Sequence, residues 1–414
     1  MTPLRRRAAA ALTAAVCLVA AVPAPAAEPR PPAVQAPQAF LLEASTGDVL
    51  FRRQAERPRP VASATKLMTA LVVLERVSLQ DTFTASGYRP QPIESKLGLE
   101  PGERMKVRDL LRALLLASAN DAAHTLAQGT AGTVEAFVAL MNDRARSLGL
   151  AQTRFTNPIG LDHPGNHSSA ADLVRLTLRL RRRPFFARTV DLGRVRLGSG
   201  VRPREVVNRN DLVRAEPVVD GVKTGHTELA GYVLVGSATR DGVSVISAVL
   251  GDPSEAARDA DTLALLRYGL SRFRSVRVVR PERVLRTAPV QYRPEERVGL
   301  VPARAVTRVL RVGERPSVST DVPDQLEGPL PAGAPVGTLL VRLRGRVSAR
   351  VALVTAARVP EVGLFERTGD QLRKPATLAA LALVASLVLL LLLRRRRRRR
   401  RRPAGGRSME TETA

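Results

Sequence analysis

From Ala376 to Leu393 the chain runs for eighteen residues without a charge, and Arg394 to Arg402 follow as nine consecutive arginines. As a helix this run spans about 27 Å at about 1.5 Å per residue, enough to cross the hydrocarbon of a bilayer. A buried core helix is a poor alternative, because nine arginines could not follow it into a core. The positive-inside bias then places residues 394–414 in the cytoplasm and everything before the helix on the extracytoplasmic face. The start of the chain agrees. Arg5 to Arg7, an apolar stretch from Ala8 to Val22 and the small residues Ala24-Pro25-Ala26 read as a secretory signal over 1–26. The single cysteine, Cys17, lies inside that signal, so the mature chain can form no disulfide, and the bulky Leu18 after it argues against lipidation.

Between signal and anchor the chain is long enough for two folded units. The formal charge is +27, yet Arg394 to Arg402 and Arg5 to Arg7 carry much of it. The remainder is scattered and lacks the interleaved aromatics that stack on bases, which excludes nucleic acid as a partner. In the first unit, 27–273, Ala39 to Leu42 and Val49 to Phe51 flank a Ser45-Thr46-Gly47-Asp48 turn. Lys66 to Arg76, Val107 to Ala117 and Val134 to Ser147 carry helical apolar spacing. Gly231 to Ala238 and Val243 to Leu250 alternate around Asp241-Gly242, a strong hairpin signal, and Ala257 to Tyr268 reads as a closing helix. Helices between an early and a late hairpin predict an α+β fold, an antiparallel sheet covered by helices. Residues 276–359 alternate Val and Arg between Gly/Pro turns, which predicts a small C-terminal β-sandwich. A polar linker, 360–375, leads to the transmembrane helix at 376–393.

Three short motifs carry chemistry. Ser63-Ala64-Thr65-Lys66 sets a hydroxyl three residues from an amine, on one face if a helix begins at Ser63. Lys66 can accept the serine proton only if its pKa falls well below its unperturbed value near ~10.4, something lysine can do and arginine cannot. Only five of the 65 basic residues are lysine, Lys66, Lys96, Lys106, Lys223 and Lys374, so lysine at these places stands out against an arginine background. Ser118-Ala119-Asn120 offers a hydroxyl to relay a proton and an amide to hold both Lys66 and a substrate carbonyl. Lys223-Thr224-Gly225-His226 offers a cation and a hydroxyl for a carboxylate, with Gly225 admitting a peptide backbone. Each of the last two is commonplace alone, an ordinary helix end or a surface turn. Their order and spacing give them meaning. His163 and His167 bracket Pro164-Gly165, which suits a loop, so no metal site and no cofactor is expected. Glu94, Asp121 and Glu216 are expected to cap helices or face solvent.

With these three motifs the chain resembles the low-molecular-mass penicillin-binding proteins, the D-alanyl-D-alanine carboxypeptidases. The likeness extends through Thr46-Gly47, Leu110-Leu111, Ser118 to Ala123, Phe155-Thr156-Asn157-Pro158, Gly160-Leu161-Asp162, Ser169 to Leu173, and Lys223 to Thr227 with Ala230-Gly231. It covers about 39–273, and more loosely the C-terminal unit through Pro335-Val336-Gly337. Val61 departs from the family, which commonly has proline there. The resemblance implies a penicillin-binding-protein/β-lactamase-like catalytic domain. It implies Ser63 as nucleophile, Lys66 as base, Ser118 as proton relay and Asn120 as a substrate contact. Lys223 and Thr224 would hold the carboxylate of the departing D-alanine, and the N–H groups of Ser63 and His226 would form the oxyanion hole. The partners implied are peptidoglycan stem peptides and β-lactams, with the membrane held through the C-terminal helix; no oligomeric state is implied. A D,D-endopeptidase would use the same residues, and a catalytically silent wall-binding protein would not need them intact. A β-lactamase of this fold would deacylate through a glutamate, but no Glu-x-x-x-Asn lies between Asn120 and Lys223.

Overall fold

The computed structural model describes residues 30–363 and 375–400, with side chains to 397. The signal segment with Cys17, most of the linker and the tail beyond 400 lie outside the described residues. Among the described residues, sixteen strands occur in chain order: β1 Gln38–Glu43, β2 Val49–Arg53, β3 Thr82–Thr84, β4 Arg104–Lys106, β5 Arg194–Leu197, β6 Arg204–Val207, β7 Val219–Thr227, β8 Gly231–Arg240, β9 Val243–Asp252, β10 Phe273–Val279, β11 Arg286–Val290, β12 Arg293–Pro302, β13 Val306–Arg311, β14 Ser317–Asp321, β15 Pro335–Leu343 and β16 Arg346–Thr355. The helices used below are α1 Lys66–Arg76, α2 Val107–Arg112, α3 Asn120–Ala131, α4 Val134–Ser147, α5 Ala170–Arg181, α6 Pro184–Val190, α7 Leu212–Ala215, α8 Glu255–Ser271 and α9 Pro375–Arg400.

The first unit is built on a five-stranded antiparallel sheet of order β2-β1-β9-β8-β7. Its first hairpin is joined to its last, with Gln38 opposite Leu250 and Glu43 opposite Val245. The middles of β8 and β9 are buried without a break, and β1 is buried along its whole length. That explains their near-continuous apolar sequences, since strands covered on both sides need no polar alternation. The hairpin turn between β8 and β9 puts Asp241 at φ 51 and Gly242 at φ 78, the two positive values that Asp-Gly sequences supply. Helices α5 and α8 pack against β1. Both are capped by a serine side chain: Ser169 accepts from the Asp172 N–H and Ser254 from the Ala257 N–H. Helix α1 is buried from Lys66 through Val73, so it is the central helix of this unit.

One reading holds and one is corrected. Helix α1 starts at Lys66, where the apolar spacing put it, and Ser63 precedes it in a tighter 3₁₀ turn over Ala62 to Thr65. The helix expected over Val107 to Ala117 is α-helical only to Arg112, then widens into a π turn over Ala113–Ala117. Apolar spacing over so few residues cannot separate these windings.

The second unit comprises a two-stranded sheet, β10-β13, and a five-stranded antiparallel sheet, β11-β12-β16-β15-β14. Val279 and Val306 of the first share a core with Leu339, Val341, Ala349, Val351 and Leu353 of the second, as a sandwich requires. Along β16 buried Ala349, Val351 and Leu353 alternate with exposed Arg350 and Ala352, the pattern visible in the sequence. Helix α9 is long and apolar enough to cross a membrane over Pro375–Arg397, with mean hydropathy 2.8 and none of that window buried.

Candidate active site

A cleft of about 880 Å³ in the first unit is lined by Ser63, Ser118, Asn120, Thr224, Gly225 and His226, and by Glu94, Arg209 and Arg258. Three elements bring the motif residues to it. The 3₁₀ turn before α1 carries Ser63, with Ala62 at φ 47. The π turn throws Ser118 into the left-handed region at φ 60 and ψ 28, between α2 and α3. Positive φ at non-glycine residues costs energy, and here it occurs beside one motif serine and at another. Strand β7 presents Lys223 to His226 along the turn of Ser63, so closely that a Cβ on Gly225 would lie 3.0 Å from the Ser63 nitrogen.

The Lys66 Nζ donates to Ser63 Oγ at 2.8 Å and to the Ile159 carbonyl at 2.5 Å. Lys66 is fully buried, and burial pulls its pKa down to about 7, with Glu94 pulling it up and Arg209 down. Lys223 is also buried; it donates to Ser118 Oγ at 3.0 Å and to the Thr224 carbonyl at 2.8 Å. Burial, then the charges of Lys66, Arg209 and Arg258, hold its pKa well below the ordinary lysine value. The serine of the first motif thus meets one low-pKa amine and the serine of the second meets another. His226 stacks on Tyr232 across β7 and β8 at 4.1 Å. Such a site can deprotonate a hydroxyl at neutral pH and return the proton to a leaving group.

The structure explains a segment whose role the sequence did not disclose. Asn157 Oδ1 accepts from the Gly160 N–H at 2.7 Å, and Thr69 Oγ1 donates to the Pro158 carbonyl, so this loop is fixed where Ile159 meets Lys66. Gly160 has φ 87, and a Cβ there would lie 2.0 Å from the Ala62 carbonyl oxygen. Glu94 also departs from its expected solvent role: it lines the cleft and accepts from Asn120 Nδ2 at 2.6 Å. Asp121 is no simple cap either, since it accepts from the N–H groups of Leu97, Gly98 and Leu99. Glu216 pairs with Arg267 at the surface, as expected of it. Arg209 and Arg258 escaped the sequence reading because one arginine among so many carries no signal. His163 and His167 sit in the loop predicted for them, where His163 Nδ1 contacts the Pro164 carbonyl oxygen and the His167 backbone pairs with Arg154.

An antiparallel sheet with covering helices, a serine bonded to a buried lysine and a cleft along an edge strand together define a serine hydrolase that uses lysine where others use histidine. The D-alanyl-D-alanine carboxypeptidase profile matches residues 25–254, and that of the penicillin-binding protein 5 C-terminal domain matches 273–361. The D-alanyl-D-alanine carboxypeptidase DacD of Salmonella typhimurium is 33% identical over 352 residues, covering 81% of this chain and 89% of its own. DacA of Escherichia coli is 30% identical over 353 residues, 82% of this chain and 87% of its own. The crystal structure of penicillin-binding protein 5 from Haemophilus influenzae superposes with TM-score 0.59 and 29% identity, over 80% of this chain and 99% of that one. This chain belongs to the D-alanyl-D-alanine carboxypeptidase family, the low-molecular-mass penicillin-binding class of serine peptidases.

Proposed function

We propose that this protein removes the terminal D-alanine from peptidoglycan stem peptides through an acyl-enzyme on Ser63. The observation that carries the reading is the 2.8 Å contact between Ser63 Oγ and an amine whose burial leaves it about half neutral near pH 7. Neutral Lys66 takes the Ser63 proton as Oγ attacks the carbonyl of the penultimate D-alanine. The Ser63 and His226 N–H groups receive the developing oxyanion. The tetrahedral intermediate collapses as the C–N bond breaks, and a proton delivered through Ser118 lets D-alanine leave as the amine. Water then hydrolyses the ester, with Lys66 acting as base again. Asn120 holds the substrate backbone, Lys223 and Thr224 receive the leaving carboxylate, and Gly225 lets the peptide lie along β7. A β-lactam acylates the same serine, because its ring amide presents the same carbonyl and carboxylate.

The unit boundaries proposed for the mature chain are 27–273, 276–359, a linker to 375, the helix 376–393 and a cytoplasmic tail from 394. On this reading the catalytic unit lies on the extracytoplasmic face of the membrane. The test is labelling with fluorescent penicillin together with D-alanine release from a stem pentapeptide. Wild type should show both and Ser63→Ala neither; a Ser63→Ala protein that still labels would move the nucleophile elsewhere.

A further inference from the structure

Glu94 has no part in the chemistry above, yet it reaches into the cleft on a fixed support. The Asn120 N–H donates to the Ser95 carbonyl at 2.8 Å, and Asp121 takes three successive N–H groups from Leu97 to Leu99. The segment carrying Glu94 is thereby stapled to the start of α3. The carboxylate itself is held from three directions, by Tyr88 Oη at 2.7 Å, the Gln91 N–H at 3.0 Å and Asn120 Nδ2 at 2.6 Å. Tyr88 in turn stacks on His124 of α3, with ring centroids 3.8 Å apart. Asn120 is buried, and its Oδ1 has no hydrogen-bond partner.

A carboxylate only accepts, so it can bond the amide nitrogen of Asn120 and repels its oxygen. One amide orientation is selected, with one N–H spent on Glu94 and the other N–H and Oδ1 left for the reaction. We propose that Glu94 is a positioning residue for acylation, which fixes the Asn120 amide in a single orientation and places a negative charge within electrostatic reach of Lys66. This rests on Ser63 and Lys66 acting as nucleophile and base.

The charge has a direction that can be measured. Lys66 feels Glu94 from the loop between β3 and β4 and Arg209 from the loop before α7, and it couples to Lys223 of β7. Glu94 faces Tyr88, Asn120, Lys66 and His124. Burial acts to raise the Glu94 pKa, but its hydrogen bonds from Tyr88, Asn120 and Gln91 and the charge of Lys66 outweigh this and lower it, so it stays ionised at neutral pH. An anion favours protonated Lys66; removing it lowers the Lys66 pKa and moves the acid limb of acylation to lower pH.

The experiment uses the full chain in detergent and two readouts. Five lysines allow ¹³Cε-lysine labelling, with Lys66 assigned by the resonance lost in Lys66→Arg, and the same samples give penicillin acylation rates from pH 5 to 9. In Glu94→Gln, which can present either end of its amide to Asn120, the plateau rate should fall about tenfold. Its Lys66 titration and its acid limb should both move down by about half a pH unit. Glu94→Asp, which keeps the charge, should lose rate while its limb stays at the wild-type position. An unmoved Lys66 midpoint in Glu94→Gln overturns the proposal, and so does a Glu94→Asp limb displaced like that of Glu94→Gln. A midpoint that moves in a protein that never acylates would refute the catalytic reading and leave the electrostatic role of Glu94 standing.

Discussion

Lys66 illustrates how a residue can be costly to the fold and useful to the chemistry. Its amine is fully buried, and its pKa of about 7 lies far below the ordinary lysine value near ~10.4. An amine with a lower pKa folded than unfolded binds fewer protons in the folded state between those two values, so stability rises with pH across that window. Below about pH 7 both states are protonated and the full penalty applies. Lys66→Met, which fills the same space without a charge, should therefore raise the melting temperature, by about 2–4 °C at pH 6. The gain should shrink towards pH 9, as a pH series of thermal melts will read. A gain that grows with pH would mean that Lys66 is not held neutral by burial. The need for such a lysine was legible in Ser63-Ala64-Thr65-Lys66. Its burial was not, because Ile159 and the surrounding core that cover the amine lie far from the motif in sequence.

At the scale of elements, the site depends on close backbone approach. The turn holding Ser63 is wedged between β7 and the loop ending at Gly160, each within contact distance of Ala62 or Ser63. Gly160→Ala would place a methyl group 2.0 Å from the Ala62 carbonyl oxygen, at a φ of 87 that alanine disfavours. The variant should lose at least about a hundredfold in penicillin acylation rate, since small misplacements of a nucleophile carry losses of that order. An alanine variant that acylates within tenfold of wild type would show the turn to be pliable. Element identities were largely readable: α1 and α4 fall where periodicity put them, and both hairpins appear with their Asp-Gly and Thr-Gly turns. The misreading at Ala113 to Ala117 has a physical cause. A π turn differs from an α turn by one extra residue inside a continuous apolar run, and only the fold requires Ser118 to leave the helix in a left-handed conformation.

For the whole molecule, helix α9 is long and apolar enough to cross a membrane, and the orientation proposed above from the arginines that end it can be tested directly. Protease added to intact cells should reach residues 276–359 and leave the arginine run intact, as read with antibodies to each end. Cleavage of the arginine run from outside would reverse the orientation. The helix, the two sheet types and the family motifs all come from patterns local in sequence, and those patterns suffice for architecture and reaction class. What they do not contain is convergence. The sheet closes by pairing β1 with β9, some two hundred residues apart, and the folded unit sets Ser63 and Ser118 around one cleft with Glu94, Arg209 and Arg258, with Lys223 bonded to Ser118. Hydroxyls, amines and their order are properties of the chain, whereas a lysine pKa or a fixed asparagine depends on through-space distance and loss of water. Which groups can react is written along the chain, and which of them are dry, paired and held in one orientation follows from how the chain folds.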